Sequence, residues 1–130
     1  KFSLGKQYFV RDLAWRADSA QLAVTANDAV YLWNIQTGLL QKALPCRLPS
    51  GVAYSPDGRY LAEGLSTDAS VCLWNLKTFE KIAVLASYGK EWVVLAPDGR
   101  FDASDNATPY LRNVDLKKRT PGLLPTILAK

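Results

Sequence analysis

The sequence predicts an all-β chain of about three four-stranded antiparallel units stacked side by side, and three observations carry that prediction. Val30-Tyr31-Leu32-Trp33-Asn34-Ile35-Gln36-Thr37 returns as Val71-Cys72-Leu73-Trp74-Asn75-Leu76-Lys77-Thr78, 41 positions further on. Pro56-Asp57-Gly58-Arg59-Tyr60 returns as Pro97-Asp98-Gly99-Arg100-Phe101, also 41 positions on. Between these copies, short apolar runs are bounded by turn formers, and no stretch carries three turns of amphipathic helix. A repeat of this length is one supersecondary unit that cannot bury its own faces and must stack on neighbours. Function is then to be sought on the rims and faces of the stack.

Each unit reads as four strands. The first, Asp12 to Trp15 or Gly51 to Tyr54, stops at Ala-Asp-Ser or Pro-Asp-Gly. In the latter turn proline presets φ, aspartate bonds back to the backbone, and glycine takes the left-handed conformation that closes a hairpin. The second strand is Gln21 to Thr25 or Tyr60 to Leu65, and the third is Ala29 to Asn34 or Ser70 to Asn75, rich in β-branched and aromatic residues. A polar turn then leads to a fourth strand, Leu39 to Leu44 or Lys81 to Leu85. The upstream halves match at an offset of 39 and the downstream halves at 41, which places two extra residues in a loop near Ser66 to Ala69. A third copy is degenerate: Leu111-Arg112-Asn113-Val114 stands for Leu73-Trp74-Asn75-Leu76 at an offset of 38, with arginine in place of tryptophan. The units are expected over about 10–44, 51–85 and 91–116, with a C-terminal tail over 117–130.

These residues resemble the WD-repeat family of β-propellers, whose units are four-stranded blades with a third strand ending in tryptophan and aspartate. Asn34 and Asn75 stand where that aspartate would be, and Ser55-Pro56-Asp57-Gly58 matches the family's turn after the first strand. The chain contains no histidine. The family's tetrad of His, Asp, Ser/Thr and Trp therefore cannot form, and the resemblance is to the divergent, often prokaryotic branch, over roughly Leu4 to Leu116. The segment from Glu91 to Ser104, with Tyr110-Leu111-Arg112, is also similar to the terminal segment of bacterial WD-repeat proteins that continue into a caspase-like peptidase domain. That resemblance carries no activity into this chain.

Propellers close with typically four to eight blades, and about three are present in 130 residues. The absence of methionine, and a start at Phe2-Ser3-Leu4 that resembles the last strand of a preceding blade, read as a piece of a longer protein. The alternative is a partial propeller whose copies assemble into a closed ring. With 48% hydrophobic residues and four tryptophans the chain can build a real core. Its apolar runs fall far short of the roughly 20 residues that span a bilayer, so no membrane role is expected. Cys46 and Cys72 occupy non-equivalent repeat positions and favour neither a disulfide framework nor, without histidine, a zinc site. A reduced, cytoplasmic setting follows.

A net charge of +4 invites a nucleic-acid reading, but the cations are scattered and only Lys117-Lys118-Arg119 forms a cluster, read as a solvated tail or linker. Catalysis finds no support either. No histidine-based triad or imidazole metal ligand exists, no glycine-rich loop leads into Lys-Ser/Thr, and Asp18, Asp57 and Asp98 are explained by turn chemistry. Asp102 and Asp105, with Ser104 between them, only imitate a carboxylate pair. No cofactor is expected.

Trp33 and Trp74 are expected to pack between adjacent blades, and Asp57, Gly58, Asp98 and Gly99 to shape turns. What remains is a binding surface. The resemblance places the loops between second and third strands, and those joining one blade to the next, on one face. These are Asn27, Asp28, Arg47, Ser66, Thr67, Asp68, Tyr88, Lys90 and Glu91, with Asp105 and Asn106 beside them. They mix charge, amide, hydroxyl and aromatic groups as recognition surfaces do. The expected function is a noncatalytic protein-interaction scaffold or sensor, its partner a protein or another domain of its own parent. The alternatives are a regulatory portion of a bacterial effector whose caspase-like peptidase lies elsewhere, and a homo-oligomer that completes its own ring.

Overall fold

The computed structural model describes residues 9–129; the expected strand remnant at Phe2 to Leu4 lies outside them. The fold is nearly all β, with antiparallel sheets of four and six strands. The first sheet runs in chain order through β1 (Asp12–Trp15), β2 (Gln21–Thr25), β3 (Ala29–Asn34) and β4 (Leu40–Pro45). The second adds β5 (Pro49–Tyr54), β6 (Tyr60–Leu65), β7 (Ser70–Asn75) and β8 (Glu80–Tyr88), then β9 (Glu91–Leu95) and β10 (Phe101–Ala103).

The crossing between sheets is bracketed by Pro45 and Pro49, which end and begin their strands. Proline brings no N–H to a ladder, and the chain leaves one sheet there for the next. The inner strands β1 and β5 then lie against each other, with Val52 N–H donating to Asp12 Oδ2 at 3.0 Å. Between the sheets Ala23, Val30, Leu32 and Leu44 of the first pack with Leu61, Cys72 and Trp74 of the second, all buried. Tyr54 reaches across to donate to Gln21 Oε1 at 2.9 Å. Trp33, at the repeat position of Trp74, is also buried.

The third copy departs from expectation. Rather than a separate degenerate blade over 91–116, it contributes the β9–β10 hairpin, and β9 pairs with β8 from Val84↔Leu95 to Tyr88↔Glu91. The physical reason is local. Only Gly89-Lys90 separate β8 from β9, and Gly89 has φ 67. A two-residue loop of this kind holds its strands as antiparallel neighbours, and no proline interrupts the ladder before it. The stretch matched to a third strand, Leu111 to Val114, is not a strand; Leu111 and Val114 pack against Val93, Phe101 and Ala103 of the hairpin.

The expected tail folds back. Arg119 donates to Ala103 O at 2.8 Å, Thr120 N–H to Phe101 O at 2.7 Å, and Gly122 N–H to Asp102 Oδ2 at 2.8 Å. The short helix α1 (Leu123–Leu128) then buries Leu123 against Ala83, Val94 and Ala96. Strand alternation puts these residues on the face of the second sheet opposite Cys72 and Trp74.

Candidate functional site

Alternation of strand direction carries Asn27 and Asp28, Arg47, Ser66 to Asp68, Tyr88 to Glu91, and Asp105 to one rim, and the turns containing Asp18, Asp57 and Asp98 to the other. Three of the rim loops are laced together by backbone. Cys46 N–H donates to Asp28 O at 3.0 Å, Leu48 N–H to Asn27 O at 3.3 Å, and Ser66 N–H to Leu48 O at 3.1 Å. Leu48 sits at φ 54 to make both of its bonds. A left-handed leucine is costly, and it persists where its surroundings over-determine it.

Beneath these loops a cleft of about 550 Å³ opens between the sheets. Asn27, Asp28, Arg47 and Thr67 line it from the loops, and Cys46, Glu63, Cys72 and Lys81 from the connection and the second sheet. Glu63 is fully buried. Its Oε2 accepts the Trp74 indole N–H at 2.6 Å, and its Oε1 is buried with no hydrogen-bond partner among the described residues. Burial pushes the Glu63 carboxyl up to about 6, against the pull of the Trp74 hydrogen bond and the Lys81 charge. Burial likewise raises the Cys72 thiol. The Lys81 ammonium lies 5.4 Å from the centre of the Trp74 ring. Asp28 Oδ1 accepts from the Tyr31 hydroxyl at 2.9 Å.

The cleft thus gathers four of the rim residues expected from sequence. Ser66 and Asp68 are exposed beside it, and Asp68 accepts from the Ser70 hydroxyl. Tyr88, Lys90 and Glu91 stand apart on the β8–β9 hairpin: Tyr88 stacks on Tyr110 with ring centres 4.5 Å apart, Lys90 is exposed, and Glu91 accepts from the Ser104 hydroxyl. On the opposite rim Asp57 accepts from Arg59 N–H and the Ser55 hydroxyl, Asp98 from Arg100, and Gly58 and Gly99 have φ of 71 and 88. Asp102 holds Gly122 while Asp105 meets Arg119 at 3.3 Å, so the two carboxylates serve different contacts. Lys118 reaches Asp98 O at 3.3 Å, which together with Arg119 makes the basic cluster part of the folded C-terminal segment.

Sequence reasoning missed Glu63, Leu48 and Lys81. For Glu63 a signal existed: one carboxylate in the apolar alternation Leu61, Glu63, Leu65, on a strand paired with that of Trp74. Both cysteines line the same cleft, which repeat positions alone did not show.

No protein-family profile matches the chain. Among solved structures, the WD40 repeats of RRP9 align with a TM-score of 0.54 at 17% identity, over 80% of this chain and 37% of that one. The Hydrazine Synthase of Kuenenia stuttgartiensis aligns with a TM-score of 0.57 at 15% identity, over 83% and 37% respectively. Kluyveromyces lactis Hsv2 gives 0.51 at 10% identity, over 69% and 33%. The fold is therefore that of a WD-repeat-type β-propeller, present here as open sheets. The chain spans about a third of the length of the solved structures it matches. Among the described residues no helix is long and apolar enough to cross a membrane, and no group of His, Cys, Asp and Glu side chains is arranged to hold a metal ion.

Proposed function

We propose that the chain is a noncatalytic protein-interaction scaffold that recognises a partner through the rim cleft between its two sheets. The observation that carries this reading is the convergence of Asn27, Asp28, Arg47 and Thr67 around one cleft, on loops tied to each other through Leu48. Recognition loops bind well when a rigid scaffold holds them, and the buried contacts between the sheets supply that scaffold. The mixture of both charges with amide and hydroxyl groups suits a polypeptide.

A displayed peptide library, selected against the chain, tests the reading. Selected peptides should lose binding to a rim variant carrying Arg47→Glu and Thr67→Lys, and keep it with Lys77→Glu on the opposite rim. Equal binding to both variants, or no selection at all, would refute it.

The similarity of Glu91 to Ser104 to bacterial effector proteins supports a narrower version, in which the partner is another domain of the same parent.

A further inference from the structure

Resting on the reading of the rim cleft as a recognition site, we infer that the cleft takes the ammonium group of a lysine side chain from a protein partner, with Glu63 Oε1 as its acceptor.

Glu63 is a carboxylate that is only half used. Glu63 is fully buried, and burying a charged group without its hydrogen bonds is costly. One oxygen is satisfied by Trp74 at 2.6 Å, and the other has no partner among the described residues. Two apolar walls would have packed the sheets together without that cost. Glu63 lines a cleft of about 550 Å³ whose mouth is built from rim loops, and its Oε1, closed to solvent as the sheets stand, is approached by a donor that enters along that cleft.

The shape of the unmet demand selects the ligand. A guanidinium pairs best with both carboxylate oxygens at once. Here Oε2 is committed to the indole, so a single-point donor fits better, and a lysine ammonium is a compact point charge on a slender stem. Asp28, which accepts from the Tyr31 hydroxyl, adds a second negative group at the mouth and offsets the Arg47 charge that lines the same mouth. Lys81 is the cleft's own rival: its ammonium lies over the Trp74 ring at 5.4 Å, yet no ion pair joins it to Glu63 among the described residues. Lys81 is an exposed residue whose contacts are with the Trp74 ring and the Cys72 thiol rather than an ion pair with Glu63, so its ammonium can yield to an incoming cation.

The experiment is a titration of the whole chain with Nα-acetyl-lysine methylamide, followed through the Trp74 indole N–H resonance. A saturable shift is expected. Acetylating the probe's side-chain amine, which removes the charge, should weaken binding at least tenfold, and Glu63→Gln should do the same to the unmodified probe. Lys81→Gln removes the rival at an exposed position and should tighten binding severalfold, which keeps the test decisive if Glu63→Gln fails to fold. Equal binding of the acetylated probe, no saturable shift, or unchanged or weaker binding in Lys81→Gln would each overturn the inference. If the rim selects peptides that lack lysine, the recognition reading stands and this inference fails alone.

Discussion

Trp74 donates its indole N–H to Glu63 Oε2 at 2.6 Å within the packing between the two sheets. In a chain without histidine, this bond from third strand to second gives the buried indole its acceptor. It also ties a titrating group to the stacking of the sheets, because Leu61 and Cys72 of the same face pack on the first sheet.

Stability should therefore depend on pH through Glu63. Its carboxyl titrates at about 6 in the fold against an ordinary 4.5, so the folded state holds the proton more tightly. The stabilisation is fully present below about 4.5 and is lost as pH rises through 6, amounting to about 2 kcal/mol. Asp18, held low by Arg16, Asp57 by the Ser55 hydroxyl, and Asp98 by the Arg100 amide act in a separate window. Their contribution is present above the ordinary aspartate range and lost at lower pH. Urea midpoints measured from pH 4.5 to 7 should fall for the wild type and stay nearly flat for Glu63→Gln.

Helix α1 should behave as a structural cap. Leu123 is fully buried against Ala83, Val94 and Ala96, so Leu123→Ala should cost about 2–4 kcal/mol in chemical denaturation. Thr126 is exposed on the same helix, and Thr126→Ala should change stability by no more than about 0.5 kcal/mol. Equal effects of the two would mean that the helix does not pack there.

The inner strands supply a third expectation. Asp12 Oδ2 accepts from Val52 N–H across the sheets at 3.0 Å. Asp12→Ala leaves that amide without its side-chain acceptor and should cost about 1–2 kcal/mol. Hydrogen exchange at Val52 should quicken in the variant, while exchange at Val94, in the outer hairpin, stays the same.

Gly58 gives a fourth. At φ 71, any residue with a Cβ is strained, and that atom would stand 3.1 Å from Arg16 Cδ of the first sheet. Gly58→Ala should destabilise by about 1–2 kcal/mol, chiefly through the backbone, because the arginine side chain can move. Thermal melts of the variant beside the wild type check this.

Much of the fold was legible because the repeat writes its strands twice. The expected Gln21 to Thr25, Ala29 to Asn34, Tyr60 to Leu65 and Ser70 to Asn75 are the observed β2, β3, β6 and β7. What the repeat could not show is which sheet a strand joins. Phe101 matches Tyr60 in register, yet β10 lies at the far edge of the second sheet, because a two-residue loop at Gly89 overrides the repeat. The cleft was half legible. Its loop residues follow from strand direction, whereas the partly used carboxylate of Glu63 depends on how two sheets pack, which no single strand records.

The most direct test of the central claim is a map of backbone amide shifts on adding a peptide selected by the chain. The account predicts a contiguous set of perturbations at Asn27, Asp28, Arg47, Glu63 and Thr67. Perturbations centred on the Asp57 and Asp98 turns of the opposite rim, with the cleft unmoved, would contradict it.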